Sequence, residues 1–172
     1  MEEIKYLPVH MIVENHEIAF DNQNRKFDLI VINNQEIEII SNNISTKIKY
    51  DELDKIEVSL CSIMDNYTIS YVWMTYHIFI TIFDKNGNVY PLECENDDVL
   101  VHFFQKLHDQ KIEIIDVLDL EESYLKFKDK LERNKYFEKT MPKKAKKNKI
   151  KYPTRIYMGK LKNETRWYLI LI

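Results

Sequence analysis

Apolar side chains recur along this chain at two intervals, and the change between them falls near residue 96. Before it the dominant spacing is two, the rhythm of a strand with one covered face. Residues 4–20 alternate loosely and have room for one or two strands. "FDLIVI", 27–32, is apolar on both faces at several positions and predicts a well-covered strand. "EIEIIS", 36–41, sets Ile37 and Ile39 against Glu36 and Glu38, a strand with one wet face. Asn33 and Asn34 tolerate positive φ and predict a tight hairpin between the two. Thr46, Ile48 and Tyr50 alternate with Ser45, Lys47 and Lys49. "DELD", 51–54, breaks that run, and Ile56, Val58 and Leu60 resume it. From Tyr67 to Tyr76 no single face is apolar. "HIFITIFDKNGNVYPLE", 77–93, predicts a hairpin turning at Asn86-Gly87.

After residue 96 the spacing becomes three and four. Val99/Leu100, Phe103/Phe104 and Leu107 predict an amphipathic helix over 96–110, with Asn96 as N-cap and Asp97 and Asp98 at its positive end. "KIEIIDV", 111–117, predicts one more strand or an extended return. A second helix is expected over 120–137, with Leu120, Tyr124, Phe127 and Leu131 as its inner stripe. Asp119 and Glu122 have the spacing of a capping box, and Asp129 and Arg133 that of an i,i+4 pair. Pro142 and the lysines beyond it are expected to end this helix and leave a basic linker at 139–151. Residues 152–172 predict a strand, a polar turn at 162–165 and a strand. The expected fold class is α+β: a bent, mostly antiparallel sheet or partly open barrel over 1–118 capped by the 96–110 helix. Residues 119–172 follow as an appendage of helix, linker and hairpin.

Several strands, a hairpin with an Asn-Gly turn and then one amphipathic helix is an order that resembles bacterial pleckstrin-homology-like domains. The resemblance is best over "ISTKIKYDELDKIEV" and "HIFITIFDKNGNVYPLECENDDVLVHFFQKL", and covers roughly residues 27–117. It implies a strand barrel plugged by a helix, and a binding module more than a catalyst. Family members that bind phosphoinositides carry several bases in and beside the first hairpin loop. Here that loop is expected at "NNQE", 33–36, without a base, and Lys47 and Lys49 are the nearest cations. The resemblance therefore does not extend to the usual lipid site.

Composition and charge narrow the reading further. The 172 residues suit one domain and are 45% hydrophobic, which excludes general disorder. No apolar run reaches the length of a membrane span, and the acidic N-terminus is unlike a signal peptide, so a cytoplasmic setting is expected. Two cysteines, Cys61 and Cys94, form no CxxC; free thiols are the default and one cross-strand disulfide the alternative. Gly87 and Gly159 are the only glycines, and the glycine-rich phosphate loops and the GxSxG elbow are absent. The formal net charge of -3 hides a division: residues 139–166 hold 11 Lys+Arg against Glu164 alone.

The candidate chemistry is correspondingly thin. The acids fall in surface patterns, the histidine pairs His10/His16 and His102/His108 are six apart and do not share a helix face, and no nucleophile–base spacing stands out. No catalytic residue, cofactor or metal site is expected. A cluster of His77, Cys61 and Cys94 is the one metal arrangement worth locating. Tyr67, Tyr71, Trp73 and Tyr76 are candidate interface anchors or the core of a long bent strand. Lys143, Lys144, Lys146, Lys147, Lys149 and Lys151 admit three readings: a solvated linker, a strip lying on the acidic body of the same chain or of a dimer mate, or a contact for an external polyanion. The expected partner is a protein or peptide, with an anionic membrane surface as the alternative. Nucleic acid is disfavoured because few aromatics interleave with the bases.

Overall fold

The computed structural model describes the backbone of residues 5–11, 28–41, 43–68, 71–95, 98–149, 154–157 and 168–171, with side chains over 6–9, 28–41, 43–60, 76–94 and 98–149. Among the described residues the protein is an α+β fold of two hydrogen-bonded sheets and three α-helices. The first sheet is antiparallel and holds β1 (Lys5–Met11), β2 (Asp28–Ile32), β3 (Glu36–Ser41) and β4 (Ile44–Lys49) in sequential order. The second is built on β5 (Leu53–Thr68), β6 (Tyr71–Asp84) and β7 (Val89–Glu95), also antiparallel. Strand β1 belongs to both: Lys5–Val9 pair with β2, and His10 and Met11 pair with β7.

Period two does what it predicts. Ile37 and Ile39 turn inward from β3, as do Ile56, Val58 and Leu60 from β5 and Ile78, Ile80 and Ile82 from β6. The hairpin at Asn33-Asn34 forms, but not through positive φ. Asn33 Oδ1 instead accepts the backbone N–H groups of Gln35 and Glu36, both at 2.8 Å, and the side chain stands in for a backbone turn. The break at 51–54 is a single 3-10 turn, Tyr50–Glu52, after which β5 starts at once. The stretch without a clear face lies in the far halves of β5 and β6, which form one long hairpin.

Helix α1 (Val99–Asp109) buries Leu100, Phe103, Phe104 and Leu107 against this sheet, about 1.5–3 kcal/mol for each side chain removed from water. Its expected cap, Asn96, lies outside the described residues. A short strand, β8 (Glu113–Ile115), returns parallel to β5. The C-terminal strands β9 (Thr154–Tyr157) and β10 (Tyr168–Leu171) pair antiparallel as the expected hairpin, and β9 runs parallel along the outer half of β5. Strand order is β10-β9-β5-β6-β7-β1-β2-β3-β4 with β8 beside β5, so among the described residues the ends do not meet and the sheet does not close.

The helix expected over 120–137 is two helices, α2 (Leu120–Lys126) and α3 (Lys130–Lys147). The Asp119 capping box does not form: Asp119 sits at positive φ with no side-chain cap. Asp129 caps α3 instead, accepting the Glu132 N–H at 2.9 Å. The predicted stripe breaks there, and Leu131 is exposed. The basic linker is also corrected. Pro142 does not end α3, which continues through the lysines to Lys147. A proline deletes one i→i−4 hydrogen bond, but Phe137, Met141 and Ala145 are all buried and hold the helix down on both sides of it. These three join Leu118, Leu120 and Tyr124 in the same hydrophobic cluster as α1 and the sheet. Among the described residues, α2 and α3 therefore contribute to the common core.

Candidate interaction surface

Helix α3 carries two rows of residues, each spaced by four. Arg133, Phe137, Met141 and Ala145 are buried. Leu131, Lys135, Lys139, Lys143 and Lys147 are exposed. The rows are offset by two residues, and two residues turn a helix by about 200°, so the lysine row lies opposite the buried one. Lys146 falls inside the same arc. Among the described residues none of these five lysines is paired with an acid. Two acids lie nearby on the helix: Glu132 in its first turn and Glu138 at the margin of the row. From Lys139 to Lys149 there is no acid at all.

Lys144 has a different task. Half-buried, it donates to Leu118 O at 3.1 Å and to Asp119 Oδ2 at 2.8 Å. Burial acts to lower its pKa, but the hydrogen bond to Asp119 and the neighbouring Tyr136 outweigh that, and the ammonium is held above its ordinary value. It is an anchor between α3 and the start of α2. Asn148 adds a second tie, donating to Val117 O at 3.2 Å. Lys149 follows α3 at positive φ, and its N–H bonds back to Lys146 O at 3.2 Å to close the last turn. Lys151 lies outside the described residues.

At the other end of α3 the buried Arg133 locks the corner with α2. It donates to Phe127 O and to Asp98 Oδ1, both at 2.8 Å, and its guanidinium lies 4.3 Å from the Tyr124 ring centroid. The expected Asp129–Arg133 pair is thus replaced by contacts to α2 and to the start of α1. Phe127 and Tyr136 stack with ring centroids 4.7 Å apart. The helix is a rigid mount for the lysines it displays.

Of the aromatic candidates, only Tyr76 has a described side chain. Tyr76 is only 4% exposed and meets Phe137 edge to face at 5.5 Å. It is the core contact between β6 and α3 and has no face for a partner. Tyr67 is on β5 and Tyr71 and Trp73 on β6, where the strand register is described but the side chains are not. Lys47, a nearest cation to the second hairpin, is drawn to Glu36 at 2.9 Å, and its pKa is raised by that bond and by Glu38. The loop 33–36 follows β2, so it is the second hairpin of the chain; the first connection, 12–27, lies outside the described residues.

His77 and Cys94, the members of the candidate metal arrangement with described side chains, do not share a face of the sheet. Cys94 is a buried free thiol opposite Ile78 and donates to its carbonyl at 3.5 Å. His77 lies on the other face of β6, with Nδ1 at 3.1 Å from Glu93 Oε1, and both groups are buried. By register Cys61 is opposite His77. Among the described residues no group of three or more His, Cys, Asp or Glu side chains is arranged to hold a metal ion, and no helix is long and apolar enough to cross a membrane.

The lysine row was legible in retrospect as Lys at 135, 139, 143 and 147, a strict i,i+4 series. Treating Pro142 as a terminator hid it. No family model matches this chain, and no curated protein matches it.

Proposed function

We propose that this chain is a non-enzymatic, cytoplasmic interaction module of pleckstrin-homology-like build that meets an anionic surface through the outer row of α3. Seven antiparallel strands, β1 to β7, followed directly by a helix that plugs the core support the scaffold. A single observation carries the function: Lys135, Lys139, Lys143, Lys146 and Lys147 are held on one exposed face of a helix whose opposite face is core, with no acid paired to them among the described residues. Last-turn cations are expected at a helix C-terminus, where they complement the dipole. That accounts for Lys144, Lys146 and Lys147, and leaves Lys135, Lys139 and Lys143 without a structural task. Residues 135–147 are helical and, among the described residues, Lys144 alone of their lysines is tied to an acid of its own chain, which favours a polyanion outside the chain. Nucleic acid is disfavoured. The described aromatics of α2 and α3 pack on one another or into the core and offer no stacking platform.

The test is retention on immobilised heparin at about 0.1 M salt, where screening over about 10 Å still leaves a dense patch its pull. The native chain is retained despite its net charge of -3. Lys139→Glu, Lys143→Glu and Lys147→Glu together abolish retention with an unchanged unfolding midpoint. Equal elution of the two proteins sinks the proposal.

A further inference from the structure

We infer that the surface met by α3 is an anionic lipid bilayer, on which the helix lies flat with Leu131 entering the interface; this rests on the anionic-surface reading above. Leu131 is the first member of the row that continues as Lys135, Lys139, Lys143 and Lys147. It is 62% exposed, and Leu125, across the corner at the end of α2, is 51% exposed. Lys126 and Lys128 fall between the two leucines in the sequence and are exposed. The uncovered Leu131 at one end of the lysine row gives an amphipathic edge: the apolar group reaches into the acyl boundary while ammonium groups meet lipid phosphates. The lysine row from 135 to 147 spans about 18 Å, long enough to touch several headgroups at once.

An acidic protein is the poorer occupant. Protein interfaces are anchored by aromatic and arginine side chains seated in pockets. Here Tyr124, Phe137 and Arg133 are all buried, and Phe127 and Tyr136 are stacked together. What the surface presents is lysine and leucine, long flexible groups suited to a fluid, deformable partner. The acidic remainder of the chain is repelled by anionic lipid and so favours the α3 face as the one toward the membrane, while Glu132 and Glu138 on α3 weaken the attachment and keep it reversible. The site is on α3, which follows the strands β1 to β8 and α1 in the chain.

The experiment is co-sedimentation of the full chain with vesicles of phosphatidylcholine alone, and with about 30% phosphatidylserine, at about 0.1 M salt. Binding is expected to the second and not the first. Replacing Lys139, Lys143, Lys146 and Lys147 by Glu lowers it by roughly a hundredfold or more. Leu131→Ser with Leu125→Ser lowers it by roughly threefold to tenfold and leaves its salt dependence unchanged. Absence of binding to phosphatidylserine vesicles, or binding indifferent to the lysine substitutions, overturns the inference. If heparin still retains the chain in that case, the anionic-surface reading survives and the partner is an acidic protein; if heparin also fails, both fall.

Discussion

Arg133 is the side chain on which the corner between α2 and α3 depends. It is 1% exposed, yet its partner Asp98 is mostly in water, so the two ends of this bond are not equivalent. Removing the guanidinium leaves Phe127 O without its donor and the Tyr124 ring without its cover. Arg133→Ala is expected to cost about 2–4 kcal/mol in denaturant unfolding, and Asp98→Ala less than about 1 kcal/mol. Equal losses from the two would refute this account. Two carboxylates respond to pH in opposite senses. Asp84 organises the Asn86-Gly87 turn, and the Asn88 side-chain amide holds its carboxyl below the usual range; the backbone N–H groups of Asn88 and Asn86 and the Tyr90 hydroxyl add to this against some desolvation. A depressed carboxylate lends stability above its unfolded pKa and loses it as pH falls through the folded value. Burial pushes Asp116 the other way, partly opposed by backbone N–H donors, so its ionised form weakens the fold as pH rises through its folded value. Asp84→Asn should be less stable than the native chain at pH 7 and Asp116→Asn more stable. The Asp84 difference should shrink as pH falls below about 4, and the Asp116 difference should already have shrunk by the time pH has fallen to about 4, both measured by thermal unfolding. A difference that persists unchanged in acid would break the assignment.

Among the elements, α3 departs furthest from local rules. The interior Pro142 and the like-charge lysines four apart argue locally against a helix that crosses this segment. Tertiary burial decides otherwise: Met141 and Ala145 flank the proline and face the core, while Pro142 is exposed, so the Glu138 carbonyl it leaves free is on the wet side. Pro142→Ala is therefore expected to stabilise the protein by about 1–3 kcal/mol with no loss of heparin retention. A destabilised variant would mean that the proline sets a bend the lysine row requires. The scarcity of glycine shows in the same region. Lys111 and Lys149 take positive φ just past the C-caps of α1 and α3, a position usually given to glycine or asparagine. Lys111 N–H reaches His108 O and Ile112 N–H reaches Leu107 O, so the helix ends in the usual double bond without the usual residue. Strand β4, at one end of the sheet, keeps Lys47 and Lys49 on its exposed positions, which discourages pairing with another chain.

Taken together, the strands and helices share one core. Tyr76 from β6 meets Phe137 from α3, Phe137 meets Tyr124 from α2, and Tyr124 meets Phe104 from α1. This chain of rings joins the sheet to all three helices. Phe137→Ala should cost about 3–5 kcal/mol and shift a single cooperative transition. Early, separate melting of helix signal would show that α2 and α3 form an independent unit.

Much of this was legible from spacing. The alternation of Glu36-Ile37-Glu38-Ile39 and the Asn86-Gly87 turn are local statements, true wherever one face is wet and a tight reversal is needed. So is the step from period two to period 3.6 at α1. The sequence likewise carried the four-residue lysine series. It did not determine that β9 would run parallel beside β5, that the 120–137 stripe would break at Phe127, or that Tyr76 would be core while Leu131 was left in water. Those outcomes depend on which surfaces meet, and a surface remote in sequence leaves no mark on local periodicity. Pro142 is the clearest case: its own backbone chemistry argues for a stop, and only the packing of Phe137, Met141 and Ala145 made the helix continue and turned a run of lysines into a face.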